Sequence, residues 1–171
     1  MSTPLSGNLT TPYTPPFKVV RQYFIVATIA FILLNGLMLV SYQYIQGYHF
    51  QPRLLAFVHI GVLGWATMII MGAMTQLVPV ILETSLYSVR IARWGLWLYL
   101  SGVAGIAGHF WLLAGGAGGM ASAAITVFLA IILFVANIGA TLRKVKTINI
   151  TVVHIIAAIT YLTVVATFGL L

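Results

Sequence analysis

The sequence has very little charge and no cysteine. Only 5% of its 171 residues are charged, and a single acidic side chain, Glu83, stands against eight lysines and arginines. Soluble domains are about 25% charged, so the composition excludes a soluble globular protein. The net charge of +7 therefore does not indicate nucleic-acid binding. The absence of cysteine excludes disulfides, thiolate metal ligands and covalently attached haem.

Apolar residues dominate what remains. They make up 61% of the chain, and a helix needs about 20 of them in succession to cross a bilayer. The predicted fold is an all-α, multi-pass membrane bundle over residues 18–171, preceded by a disordered, proline-rich tail at residues 1–17. Five spans are predicted, at residues 19–44, 54–82, 92–114, 120–142 and 148–171.

Basic residues gather at one end of these spans, and Arg53 alone lies at the other end. The seven that gather are Lys18, Arg21, Arg90, Arg93, Arg143, Lys144 and Lys146. Because short loops rich in lysine and arginine stay in the cytoplasm, the amino terminus is predicted inside and the carboxyl terminus outside. The expected partners are the lipid bilayer and either other membrane subunits or further copies of the chain. The expected location is the inner membrane of a bacterium or archaeon.

Three histidines, His59, His109 and His154, lie within the predicted spans. An ionisable side chain is costly in hydrocarbon unless it has a partner, a cavity or a ligand. His59 and His109 each lie five residues from the outer ends of neighbouring spans, roughly 8 Å deep at 1.5 Å per residue. Two imidazoles at one level can bind a haem iron from opposite faces, so both are predicted haem ligands. His154 lies nearer the inner end and is a weaker metal-binding candidate. Hydrogen bonding to backbone or hydroxyl groups is the alternative for all three.

Gly102 and Gly105 lie on the same side of the third span as His109. Their missing side chains leave room for a flat ring, so both are included in the predicted haem-binding site. Small residues are also what close packing between membrane helices requires. The sequence leaves both roles open.

The second span contains a string that resembles a known family. Residues 59–65 read HIGVLGW, and residues 72–80 read GAMTQLVPV. The string resembles the second helix of subunit I-like proteins of the haem-copper oxidase superfamily, which includes nitric oxide reductase relatives. The resemblance implies an amino-terminal portion or a small stand-alone relative of that family, in which His59 ligates haem. The family's copper-binding histidines come from later helices without a counterpart here, so the chain is not expected to be a complete oxidase or reductase.

The leading functional hypothesis is a membrane electron-transfer protein that binds b-type haem near the outer face. The second axial ligand would be His109 or a histidine of another chain. The alternative is a non-redox structural or assembly subunit of a larger respiratory membrane complex, whose histidines make hydrogen bonds between helices. A carrier or channel is less favoured, because the five spans show no inverted repeat.

Overall fold

The computed structural model describes residues 12–112 and 117–170. Each of its five long helices is long and apolar enough to cross a membrane, and the described residues contain no β-strand. The predicted all-α bundle with five spans is therefore confirmed, while its orientation in the membrane stays a prediction. The helices are α1 (Phe17–Val40), α2 (Pro52–Ile81), α3 (Val89–Leu112), α4 (Ala117–Leu142) and α5 (Ile150–Leu170).

The largest difference from the predicted bounds is at the end of α1. The first span was predicted over 19–44, but the helix ends at Val40 because Ser41 adopts φ −133° and ψ 25°. Residues Tyr42–Tyr44 then form a short 3₁₀ turn. α2 begins at Pro52, since the first turn of a helix tolerates the missing N–H of proline. The other bounds lie close to those predicted.

The prediction of a disordered tail at residues 1–17 falls mainly on residues 1–11, which lie outside the described residues. The part that is described does not behave as a free tail throughout. Pro15 is buried, and Phe17 already begins α1. The bundle therefore starts slightly before the predicted boundary.

Glycines let neighbouring helices approach closely in antiparallel pairs. A Cβ atom on Gly72 of α2 would lie 2.7 Å from the Cβ atom of Tyr23 in α1, and one on Gly64 would lie 3.2 Å from that of Ala30. Residue numbers fall along α2 as they rise along α1, so the two helices run in opposite directions. Membrane helices depend on such close packing, because lipid supplies no hydrophobic force to drive them together.

Hydrogen bonds join the helices at one end of the bundle. We call this the basic end, because it carries the seven clustered basic residues. The side-chain Oδ1 of Asn137 accepts a hydrogen bond from the Ser88 N–H (2.9 Å), and its Nδ2 donates to the Ser88 carbonyl (3.0 Å). The hydroxyl of Thr141 accepts from the Tyr87 N–H at 2.9 Å. Both α4 side chains are buried, so they satisfy backbone groups of the α2–α3 connection away from water.

Two more bonds close the basic end. The Lys144 ammonium donates to the Ser85 carbonyl at 3.1 Å. The Tyr23 hydroxyl donates to the Ala92 carbonyl at 2.7 Å, which joins the start of α1 to the start of α3. We call the opposite end of the bundle, where α2 begins, the Arg53 end.

Candidate functional site at His59

The backbone of α2 changes its winding directly after His59. Residues Ile60–Thr67 form a π-helix, whereas the flanking stretches Pro52–His59 and Met68–Ile81 are α-helical. π-helical turns are rare and are found frequently at functional sites. The π-helix therefore indicates a candidate functional site beside His59, independently of any sequence motif.

Two hydroxyl groups donate to carbonyl oxygens of this π-helix. Thr67 donates to the carbonyl of Val62, five residues earlier, at 2.8 Å. Tyr99 of α3, which is fully buried, donates to the carbonyl of Leu63 at 3.2 Å. Carbonyl groups within a membrane need donors from the protein, so Tyr99 supports the π-helix from the neighbouring helix. Sequence reasoning missed both the π-helix and Tyr99.

The imidazole of His59 is held by its own helix and by α3. Its Nδ1 lies 2.7 Å from the carbonyl oxygen of Leu55. A carbonyl oxygen only accepts hydrogen bonds, so Nδ1 carries a proton, and in the neutral ring the lone pair is on Nε2. The ring packs against Phe110 of α3, with 4.9 Å between the ring centroids. A hydrogen bond of this kind is what usually orients a metal-ligating histidine.

His59 lines a cavity of about 250 Å³ between α2, α3, α4 and α5. Apart from His59 and Thr67, the lining side chains are apolar, with Gly169 also at the wall. α5 supplies Leu162, Val165 and Ala166 to the wall opposite α2. The described site is thus a single imidazole beside a partly open, apolar pocket, which suits an uncharged or lipophilic group.

His109 lies at the level of His59 but faces another helix. Consecutive residues of a helix point about 100° apart, and it is Phe110 that faces His59. The Nδ1 of His109 lies 2.7 Å from the Gly105 carbonyl. Its Nε2 occupies the space that a Cβ atom would need on Gly119 of α4. The rings of His59 and His109 have different neighbours, Phe110 and Gly119, and their pairing as the two ligands of one iron stays a prediction.

The space beside Gly102 and Gly105 is filled by α4. A Cβ atom on Gly102 would lie 2.7 Å from a methyl carbon of Val127, and one on Gly105 would lie 2.8 Å from the Cβ atom of Ala123. No room for a flat ring remains at these two positions. Both glycines allow the close approach of α3 and α4, which is the packing role that the sequence left open, and their part in a haem-binding site stays a prediction.

His154 is exposed on α5, and its Nδ1 lies 2.7 Å from the carbonyl oxygen of Ile150. Within residues 12–112 and 117–170, no group of three or more histidine, cysteine or acidic side chains is arranged to hold a metal ion. The proposed metal role of His154 therefore gains no further ligand from the described residues.

No family model, curated protein or solved structure matches this chain. The resemblance of α2 to the haem-copper oxidase superfamily stays a prediction based on residues 59–80. Part of the quoted string has a packing role in the structure, since Gly61, Gly64 and Gly72 face α1. His59 is the part of the string that this packing does not explain.

Proposed function

We propose that the protein is a membrane electron-transfer protein that binds b-type haem near the outer face through Nε2 of His59. The observation that carries the proposal is the hydrogen bond from Nδ1 to the Leu55 carbonyl, which leaves Nε2 as a ligand in an apolar cavity. Bound haem would supply one-electron redox chemistry, with a potential that depends on axial ligation and burial. The chain's own residues orient the imidazole.

The described residues offer the side chains that one face of a haem would need, namely one iron ligand and apolar contacts. Nε2 of His59 would hold the haem iron, and the apolar walls would suit a lipophilic macrocycle. Because the His109 ring lies against Gly119 of α4, we propose that a histidine of another chain would supply the second ligand. The cavity of about 250 Å³ is smaller than the roughly 300–1,000 Å³ of usual ligand pockets. Haem would therefore need more space than the described residues leave beside His59.

α5 is the least buried of the four helices that line the cavity. Of its residues, Val152 and Ile159 are buried, while Tyr161, Val165 and Phe168 are mostly exposed. Exposed apolar faces of this kind contact lipid or other membrane subunits. We therefore propose a component of an oxidoreductase complex, or a homo-oligomer, in the inner membrane of a bacterium or archaeon.

Optical spectra of the purified protein test the haem proposal. After expression with ample haem, we expect a Soret band and, after addition of dithionite, an α-band. His59→Ala should abolish both bands, because the variant lacks the ligand. His109→Ala and His154→Ala serve as matched controls and should retain them. The proposal is wrong if the wild-type protein carries no haem, or if His59→Ala leaves both bands unchanged.

A non-redox structural or assembly subunit is the second candidate. The observation that favours it is the use of His109 in packing against Gly119, together with the filled space beside Gly102 and Gly105. Such a subunit should co-purify with membrane partners and carry no cofactor of its own. Gentle solubilisation followed by spectroscopy of the isolated chain separates the two candidates.

A further inference from the structure

A larger apolar groove lies on another face of α2. Its volume is about 420 Å³, and Ile60 and Gly64 form its floor. α1 forms one wall from Val26 to Leu37, and α3 forms the other from Leu100 to Leu112. Every described residue that lines it is apolar or glycine. Since the bundle is of the membrane-spanning type, this groove opens toward acyl chains rather than water.

The length of the groove corresponds to one leaflet. From Leu100 to Leu112 the α3 wall rises about 18 Å at 1.5 Å per residue. One leaflet contributes about 15 Å, half of the roughly 30 Å hydrocarbon core. A single extended acyl chain that enters from the Arg53 end therefore matches the length of the groove.

Arg53 lies at the end of the groove where a lipid headgroup would be. Its guanidinium carbon is 4.2 Å from the centre of the Tyr44 ring and 5.6 Å from the centre of the Trp111 ring. Trp111 also lines the groove. Because Tyr44 follows α1 and Trp111 lies near the end of α3, the cation is held between the two helices that form the walls.

The charge of Arg53 has no acidic side chain to pair with. Glu83 is the only acidic residue of the chain, and it lies beyond the far end of α2, roughly 40 Å away at 1.5 Å per residue. The aromatic rings stabilise the cation through their faces but do not neutralise it. A guanidinium in this situation is well suited to bind phosphate through two parallel hydrogen bonds.

We propose that the groove binds an anionic phospholipid, with one acyl chain between α1 and α3 and the phosphate on Arg53. Three features favour this occupant. The walls are apolar, the groove is as long as one leaflet, and Arg53 at its mouth has no acidic side chain to pair with. The proposal does not depend on haem binding, because the groove and the cavity at His59 lie on different faces of α2.

Native mass spectrometry of the delipidated full chain tests the proposal. The protein is incubated with equal amounts of phosphatidylglycerol and phosphatidylcholine that carry the same acyl chains. Arg53→Gln should lower the preference for phosphatidylglycerol about tenfold, as expected for the loss of roughly 1.4 kcal/mol of charge-assisted bonding. Gly108→Leu should reduce the binding of both lipids, because its side chain extends into the groove.

Gly36→Leu is the matched control for Gly108→Leu. Both glycines have open space where a Cβ atom would be added, but Gly36 does not line the groove. Elution volume and helix content should be unchanged in all three variants. The proposal is overturned if Arg53→Gln keeps the lipid preference, or if Gly108→Leu binds lipid as Gly36→Leu does. It is also overturned if Gly108→Leu changes the oligomeric state and not the lipid content, since the groove would then be a helix-docking surface.

Discussion

The two ends of the bundle are stabilised in different ways. At the basic end, Asn137, Thr141 and Lys144 bind backbone groups of the α2–α3 connection directly. Toward the Arg53 end, α2 is wound as a π-helix, a cavity lies beside His59, and a groove lies between α1 and α3. The difference indicates that polar contacts between the elements are concentrated at one end, while open apolar space is concentrated at the other.

The largest effect should come from breaking the basic end. Asn137→Leu removes both hydrogen bonds to Ser88. It leaves the half-buried Ser88 N–H without that acceptor, while the Ser88 carbonyl still accepts from the Ala92 N–H at 3.3 Å. We expect a loss of about 3 kcal/mol in the free energy of unfolding, because an unsatisfied N–H costs about 1–3 kcal/mol and the lost bond to the carbonyl about 1 kcal/mol more. Unfolding by SDS in mixed micelles measures this change.

Asn35→Leu is the control for Asn137→Leu. Asn35 is exposed, and its side chain bonds only the carbonyl of Phe31 in its own helix. Its replacement should change the stability by less than about 0.5 kcal/mol, as is usual for surface positions. Equal effects of the two substitutions would contradict the proposed role of the basic end.

An intermediate effect is expected where His109 meets Gly119. Gly119→Ala places a Cβ atom on the Nε2 of His109, and such overpacking typically costs about 1–3 kcal/mol. The double variant His109→Ala, Gly119→Ala should recover part of this loss, because the clash disappears. Thermal unfolding in detergent measures both changes.

Gly118→Ala is the matched control for this prediction, because nothing lies within 4 Å of a Cβ atom added at Gly118. It should unfold at nearly the temperature of the wild-type protein. If Gly119→Ala is as stable as Gly118→Ala, the His109 ring does not occupy this position. In that case, a role for His109 as a second haem ligand should be reconsidered.

The smallest effects should come from two buried tyrosines. Tyr23 makes its hydrogen bond at the basic end, and Tyr99 makes its bond to the π-helix. Tyr23→Phe and Tyr99→Phe each remove one hydrogen bond to a carbonyl, worth about 1 kcal/mol. Tyr23 makes the shorter bond, 2.7 Å against 3.2 Å, so its loss should be slightly more destabilising. Only Tyr99→Phe should alter the spectrum of a haem at His59, since Tyr99 supports the π-helix. A spectral change in Tyr23→Phe alone would contradict this separation.

Hydropathy was sufficient to predict the helices, because a run of about 20 apolar residues has few alternatives to crossing the bilayer. Counting along the spans also predicted the common level of His59 and His109. It could not predict the directions in which the two side chains point, because α3 packs against both α2 and α4. About 100° separates the direction of His109 from that of Phe110, and packing decides which residue faces α2.

Hydrophobic periodicity could not predict the π-helix, because it assumes that the helix is wound uniformly as an α-helix. One signal was nevertheless present in the sequence. Tyr99 lies ten residues into α3, well away from the interfacial positions where tyrosine is usual in membrane helices. A hydroxyl at that depth requires an acceptor within the protein, and a search for that acceptor leads to Leu63.

The π-helix also changes the phase of α2. Residues in a π-helix advance through a smaller angle than residues in an α-helix, so the segment Ile60–Thr67 offsets the faces on its two sides. The angle between His59 before it and Gly72 after it therefore differs from the angle that uniform α-helical winding would give. Removal of one residue from this segment would restore uniform winding and rotate one face relative to the other. The geometry at His59 is thus linked to the packing of the distant half of the same helix.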